Sequence, residues 1–233
     1  MKRFYKAVSV ANVDGGLSVH LDGRPIKTPA RNPLLLPVSA LADAVAKEWD
    51  AQGEDIDPVS MPLTALAQGA LDQTVSDRTR IVGRIAAFSD SDMLYFRAEE
   101  GQAALVQHQA EHWDPLLGWA RTRYDVGFNL IYGIMHQSQP DETTKRLSAA
   151  VEAQDNFTVA AMLSLIGLTG SLVATLALVE DVYDTEKLWP LVNLEELWQE
   201  QQWGADELAL QTRAIKQAEF EAAAQFLKLA RSH

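Results

Sequence analysis

From Phe157 to Val179 the chain runs through 23 positions without a charged residue. A run of that length either spans a bilayer or must be covered by the rest of a globular fold. Its composition favours the second. Thr158, Ser164, Gly167, Thr169, Gly170, Ser171 and Thr175 dilute the apolarity. The flanks are acidic, with Asp155 on one side and Glu180 and Asp181 on the other, and no Lys or Arg sets an orientation. The stretch predicts a buried helix or helical hairpin at the centre of a helical domain.

The first sixty residues follow a different period. Leu17, Val19 and Leu21 alternate with Ser18, His20 and Asp22, the pattern of a half-buried strand. Asp14-Gly15-Gly16 and Asp22-Gly23 bracket that run as hairpin turns. Strands are predicted over Tyr5 to Val10 and over Arg24 to Thr28, with Pro25 and Pro29 pushing toward a sheet edge. Ser39 is predicted to cap a helix whose inner face is Leu41, Val45 and Trp49 and which stops near Gly53.

From Pro62 onward the period is helical. Leu63, Leu66, Ala70 and Val75 suit one amphipathic stretch, and Ile81, Ile85 and Phe88 suit the next. Leu105, Gln109 and Trp113 form an inner face before Asp114-Pro115, which reads as a helix end and a new start. The last helix should run from about Asp206 to Leu229, with Leu208, Ile215, Ala218, Ala222 and Leu229 inside. The fold class is α+β: a small β-rich N-terminal domain with one helix, residues 1–58, then a larger all-α domain, residues 59–233. The boundary is expected near Asp57-Pro58.

Formal net charge is -12, and the densest basic stretch is only Arg78, Arg80 and Arg84, followed by Asp90 and Asp92. That argues against nucleic acid and anionic membrane surfaces as partners. The absence of cysteine excludes disulfides and thiolate metal sites and fits a reducing compartment. The N-terminal MKRFYKAV has no apolar core of a signal peptide.

Few motifs suggest chemistry. "HQAEH", residues 108 to 112, matches H-x-x-E-H, which some zinc peptidases carry on a helix. His108 and His112 would point the same way and could share a metal, with Glu111 as general base. A third ligand would have to come from Glu180, Glu186 or Glu195, in a chain where acids fall in almost any window. The alternating charged and polar residues around it suit a solvated face. A zinc metallopeptidase-like enzyme using His108, Glu111 and His112 is the competing functional reading. "LDGRPIKTP", residues 21 to 29, gathers Gly23, Arg24, Lys27 and Thr28 like a phosphate cradle, but it lacks the second glycine and the helix of a P-loop. A hairpin turn plus an edge strand is the expectation. No G-x-S-x-G is present, and the acid pairs Glu195-Glu196 and Asp90-Asp92 read as surface charges. Of the six tryptophans most should be core, whereas one followed by glycine at a helix end can stay exposed as a partner anchor.

"FYKAVSV", "LDGRPIKTPARNPLLLP", "LADAVAKEWDAQGEDIDPVSMPLTALA", "DMLYFRA", "HQAEHWDPLLGWA", "TGSLVATLAL" and "LEELWQEQQWGADE" occur in the order of one family. In them the chain resembles, nearly end to end, the assembly chaperones of the F-type ATP synthase that attend its alpha subunit. In the fifth stretch Gln109, Trp113, Asp114 and Pro115 carry the likeness, and His108 and His112 stand outside it as incidental surface histidines. The resemblance implies a non-catalytic chaperone that binds the new alpha subunit before it joins beta. No cofactor and no metal are expected, and the working expectation is a monomer. Family members are mitochondrial in eukaryotes and also occur in alphaproteobacteria. The start of the chain, almost at the family's first strand, makes a bacterial cytoplasmic member, or a trimmed mature form, the expectation.

If residues 194 to 203 are helical, Leu194 and Trp198 face inward with Leu191. Glu196, Gln199 and Trp203 then share another face. Gly204 should end that helix and Asp206 cap the next. Glu196, Gln199, Trp203, Asp206 and Glu207 are accordingly the candidate partner-binding residues. The family pattern near "WGADELA" carries an acid where this chain has Leu208, so no binding role is expected of Leu208. Glu207 substitutes for that acid only across a shift of about 100° around the helix.

Overall fold

A computed structural model describes residues 1–232, the side chain of Glu100 aside. The strands are β1 (Val8–Val13), β2 (Gly16–Leu21), β3 (Arg24–Pro25), β4 (Leu35–Leu36), β5 (Phe96–Arg97) and β6 (Ile131–Tyr132). The helices are α1 (Ser39–Asp50), α2 (Pro62–Gly69), α3 (Arg78–Ala86), α4 (Phe88–Ser91), α5 (Ala103–Tyr124), α6 (Asp141–Glu152), α7 (Asn156–Thr169), α8 (Leu172–Val179), α9 (Thr185–Val192), α10 (Leu194–Trp203) and α11 (Glu207–Ala230). A small N-terminal strand region thus precedes a mostly helical remainder. Two compact units divide the chain by contact. One takes Met1–Thr79 with Asp155–Met162 and the C-terminal stretch from Glu221; the other takes Arg80–Gln154 and Leu163–Phe220. The strand-to-helix change near Asp57-Pro58 therefore lies inside the first unit.

In the first unit β1 and β2 pair antiparallel from Val8–Leu21 to Val13–Gly16. Both predicted turns form. Gly16 must be glycine, because a Cβ there would lie 2.8 Å from the Leu36 carbonyl oxygen of β4. Asp22 (φ 48°) and Gly23 (φ 77°) take the left-handed conformations of a tight hairpin turn. The Asp22 carboxylate also accepts from the Lys6 and Ala7 amides. The first strand starts later than predicted, at Val8. The third covers only Arg24–Pro25 at the sheet edge, since the chain after it turns away to Asp72. That carboxylate accepts from the Thr28 hydroxyl (2.5 Å), the Ala30 amide (2.9 Å) and the Asn32 side chain (2.9 Å). The turn-and-edge-strand reading of "LDGRPIKTP" agrees with this geometry.

Helix α1 buries Leu41, Ala42 and Val45, as its period requires. Ser39 is its first helical residue rather than its cap; Val38 occupies the cap position and has no side-chain bond to give. Trp49 is only half-buried, and its indole N–H meets no acceptor among the described residues. Glu48 instead ties α1 to its neighbour, accepting from the Leu63 amide (2.8 Å), the Thr64 amide (2.7 Å) and the Thr64 hydroxyl (2.7 Å). It supplies a negative charge to the orphan donors at the start of α2. Val75, expected inside, is 56% exposed because a π-helical turn over Ala70–Thr74 shifts the face of the chain.

The uncharged run forms two helices, α7 and α8, separated where Gly170 takes φ 64°. All eight residues of α8 are buried. No helix among the described residues is long and apolar enough to cross a membrane.

Helix α5 does not stop at Pro115, as predicted, but runs unbroken through it. A proline inside a helix costs about 3 kcal/mol. Fully burying each of Trp113, Leu116 and Leu117, at most 1% exposed, returns about 1.5–3 kcal/mol. Packing on both sides of Pro115 outweighs the break. The inner face of α11 also differs from expectation. Phe220, Ala223, Phe226 and Leu227 are buried, whereas Leu208 and Ile215 are 72% and 63% exposed and Ala218 is exposed. Only the second half of that helix is covered.

Asp92, expected at the surface, is completely buried in the second unit. It accepts from the Leu94 amide (3.0 Å) and from the Val173 amide at the start of α8 (2.9 Å). Burial pushes its carboxyl up to about 6, although those donors and Ser171 pull it down. The folded value thus exceeds the ordinary 3.8, so the stability Asp92 contributes is complete below pH 4 and lost as pH rises through 6. The interval corresponds to about 3 kcal/mol. Compared with Asp92→Asn, whose side chain does not titrate, the wild type should gain up to about that much between pH 7 and pH 4. Denaturant unfolding of both proteins at the two pH values measures the difference; parallel changes would refute the assignment.

Candidate functional site at the junction of α10 and α11

The sequence predicts a helix over 194–203, and α10 has those bounds. Leu194 is buried and Trp198 half-buried, while Glu196 and Gln199 are exposed and Trp203 is 80% exposed. Gly204 (φ 88°) ends the helix, its amide returning to the Glu200 carbonyl at 2.8 Å. Asp206 then accepts from the Ala209 amide at 2.9 Å and caps α11. Glu207 is the first residue of α11 and is exposed. All five candidate residues therefore share one solvent-facing junction.

Glu196 has a partner the sequence did not disclose. Arg213, the seventh residue of α11, reaches Glu196 at 3.1 Å and Glu200 at 2.5 Å. The Arg213 side chain is 13% exposed, and its guanidinium joins the two helices electrostatically. Below it lies a groove of about 350 Å3 lined by Glu196, Asp206, Leu208, Thr212, Arg213 and Lys216. Leu208 and Ile215 stand seven residues apart, on one face of α11. Trp203, Leu208, Ile215 and the less exposed Leu210 make this junction apolar as well as charged. The leucine expected to have no part in the site is one of its most exposed apolar groups.

The motif residues of α5 position this junction from behind. Gln109 is wholly buried. Its side-chain oxygen accepts from the Ala98 amide at 2.9 Å, and its nitrogen donates to Glu195 of α10 at 2.5 Å. Trp113 donates its indole N–H to the Leu191 carbonyl at 2.8 Å. Arg97 lies over the Trp113 ring, 5.1 Å from its centre, and reaches Asp114 at 2.7 Å. Glu195 is thus held by a buried amide, which ties α10 to α5 one residue before Glu196. Partners 86 residues apart in sequence leave no periodic signal.

His108, Glu111 and His112 lie on an exposed turn of the same helix. Their donor atoms fall within 4.8 Å of one another. None of the three distant acids named as a third ligand joins the cluster.

A family model described as "ATP12 chaperone protein" matches residues 2–121. The chain is similar to the mitochondrial protein atp12 of Schizosaccharomyces pombe, with 25% identity over 217 residues covering 88% of this chain and 74% of the relative. It superimposes on the crystal structure of Atp12 from Paracoccus denitrificans with a TM-score of 0.94 and 35% identity, covering 99% of this chain and 98% of that one. A protein of Agrobacterium tumefaciens described as a chaperone candidate gives a TM-score of 0.93 and 41% identity over 97% of this chain and 85% of that one. The fold and its relatives define a chaperone. The chain belongs to the ATP12 family, whose members serve ATP synthase assembly.

Proposed function

We propose that this chain binds the unassembled alpha subunit of ATP synthase at the α10–α11 junction, holds it soluble, and releases it to the beta subunit without catalysis. The carrying observation is the combination there of exposed Trp203, Leu208 and Ile215 with Glu196, Gln199, Asp206 and Glu207. An isolated subunit of an oligomer exposes apolar surface that its neighbour later covers, and such surface aggregates. A reversible holder needs apolar anchors within a polar rim. The net charge of -12 keeps a holder–client complex dispersed. The bacterial relatives support a bacterial cytoplasmic setting. One chain is taken as the working unit.

Light scattering of alpha subunit on dilution from denaturant tests this reading. An equimolar amount of this chain, without ATP, should suppress aggregation, and added beta subunit should displace it. Equal scattering with and without the chain would refute it.

A further inference from the structure

The histidine pair on α5 is more organised than two incidental side chains. Ring centres of His108 and His112 lie 4.3 Å apart. Nδ1 of His112 sits 2.8 Å from the His108 carbonyl oxygen. A carbonyl can only accept, so Nδ1 carries the proton and Nε2 keeps its lone pair. A hydrogen bond of this kind at the other ring nitrogen orients an imidazole for a metal. His108 packs against Trp198 of α10, with ring centres 5.0 Å apart. Burial, and then His112, lower its affinity for a proton. Glu111 supplies a carboxylate on the same turn, with Oε1 held by Gln107 at 2.9 Å.

We propose that His108, Glu111 and His112 bind one late first-row divalent metal ion, zinc in class, through two imidazole nitrogens and one carboxylate oxygen. Imidazole donors suit zinc and its neighbours, whereas magnesium and calcium require oxygen donors. Tetrahedral zinc, with bonds of about 2.0–2.1 Å to nitrogen, needs donors roughly 3.4 Å apart. The present separations, up to 4.8 Å, close by rotation of half-exposed and exposed side chains. Water completes the shell. With Glu111 used as a ligand, no general base remains on this turn, so the assignment is ion binding and not peptide hydrolysis. A bound ion would pin one turn of α5 and reorder the His108 ring against Trp198, next to the Gln109–Glu195 bond behind the junction.

The test uses the full-length, untagged chain, titrated with Zn2+ by equilibrium dialysis and with Cu2+ by tryptophan quenching. One Zn2+ per chain should bind at micromolar concentration, and excess Mg2+ should not displace it. His108→Gln and His112→Gln should each weaken binding at least about tenfold. The double variant should lose the site while circular dichroism stays unchanged, and His136→Gln should bind as wild type. Absence of stoichiometric binding, displacement by Mg2+, or retention of the ion by the folded double variant would each overturn the proposal.

Discussion

Replacing Trp113 by alanine should lower the free energy of unfolding by about 3–5 kcal/mol, the cost of emptying a fully buried aromatic site. Three losses add in one direction. The ring is 1% exposed, so its whole apolar surface is at stake. Its N–H satisfies the Leu191 carbonyl at the end of α9. It also forms one wall around Arg97, itself 3% exposed, whose guanidinium would face a cavity. Asp114 still neutralises that charge at 2.7 Å, which bounds the loss. Trp113→Phe separates the contributions: it keeps a ring and removes the N–H, and should cost about 1–2 kcal/mol. Equilibrium unfolding in urea measures both. A cost below about 1 kcal/mol for the alanine variant would show that the site refills, and that Pro115 is tolerated for some other reason than packing.

Local signals in the sequence are short-range, and what they revealed here is short-range structure. The Asp14-Gly15-Gly16 and Asp22-Gly23 turns, the alternation of β2 and the stop at Gly204 each need only adjacent residues, and each is present. The exposed Trp203 was legible because glycine follows it at a helix end. Three features were not. Helix α5 crosses Pro115 because distant helices pack against both of its halves, and no local rule weighs that burial. In α11 the period correctly indicates a helix, but apolar spacing cannot say which half of a 24-residue helix is covered. The spacing therefore puts Leu208 and Ile215 inside, whereas Phe220 and Phe226 carry the core. Asp92 looks like a surface acid beside Asp90 until Val173, 81 residues away, is brought to it. At the junction, the helix end at Gly204 and the exposure of Trp203 were legible; the exposure of Leu208 and Ile215, the Arg213 pairing and the support from Gln109 were not.

Truncating the apolar groups of the junction should abolish client binding and leave the fold intact. In Trp203→Ala/Leu208→Ser/Ile215→Ser every altered side chain is at least 63% exposed. Exposed substitutions usually stay within about 0.5 kcal/mol each, so the unfolding midpoint should barely move. If these side chains anchor the alpha subunit, the tryptophan alone should account for 2 kcal/mol or more, roughly thirtyfold in affinity. Leu208 and Ile215 should add to that, though not additively. Glu196 predicts a different signature. It lies at the rim, 44% exposed, and already pairs with Arg213. Glu196→Gln should change the association rate and its salt dependence more than the affinity, because Glu200 continues to hold Arg213 at 2.5 Å. The comparison that makes the result specific is a second set of exposed apolar residues. Val59 and Ile134 are each 89% exposed and Met135 is 77% exposed, all outside the junction. Their truncation to serine should leave binding unchanged. Titration of labelled alpha subunit against the three variants decides the matter: loss of binding in the Val59/Ile134/Met135 variant with retention in the Trp203/Leu208/Ile215 variant would move the client surface away from α10 and α11.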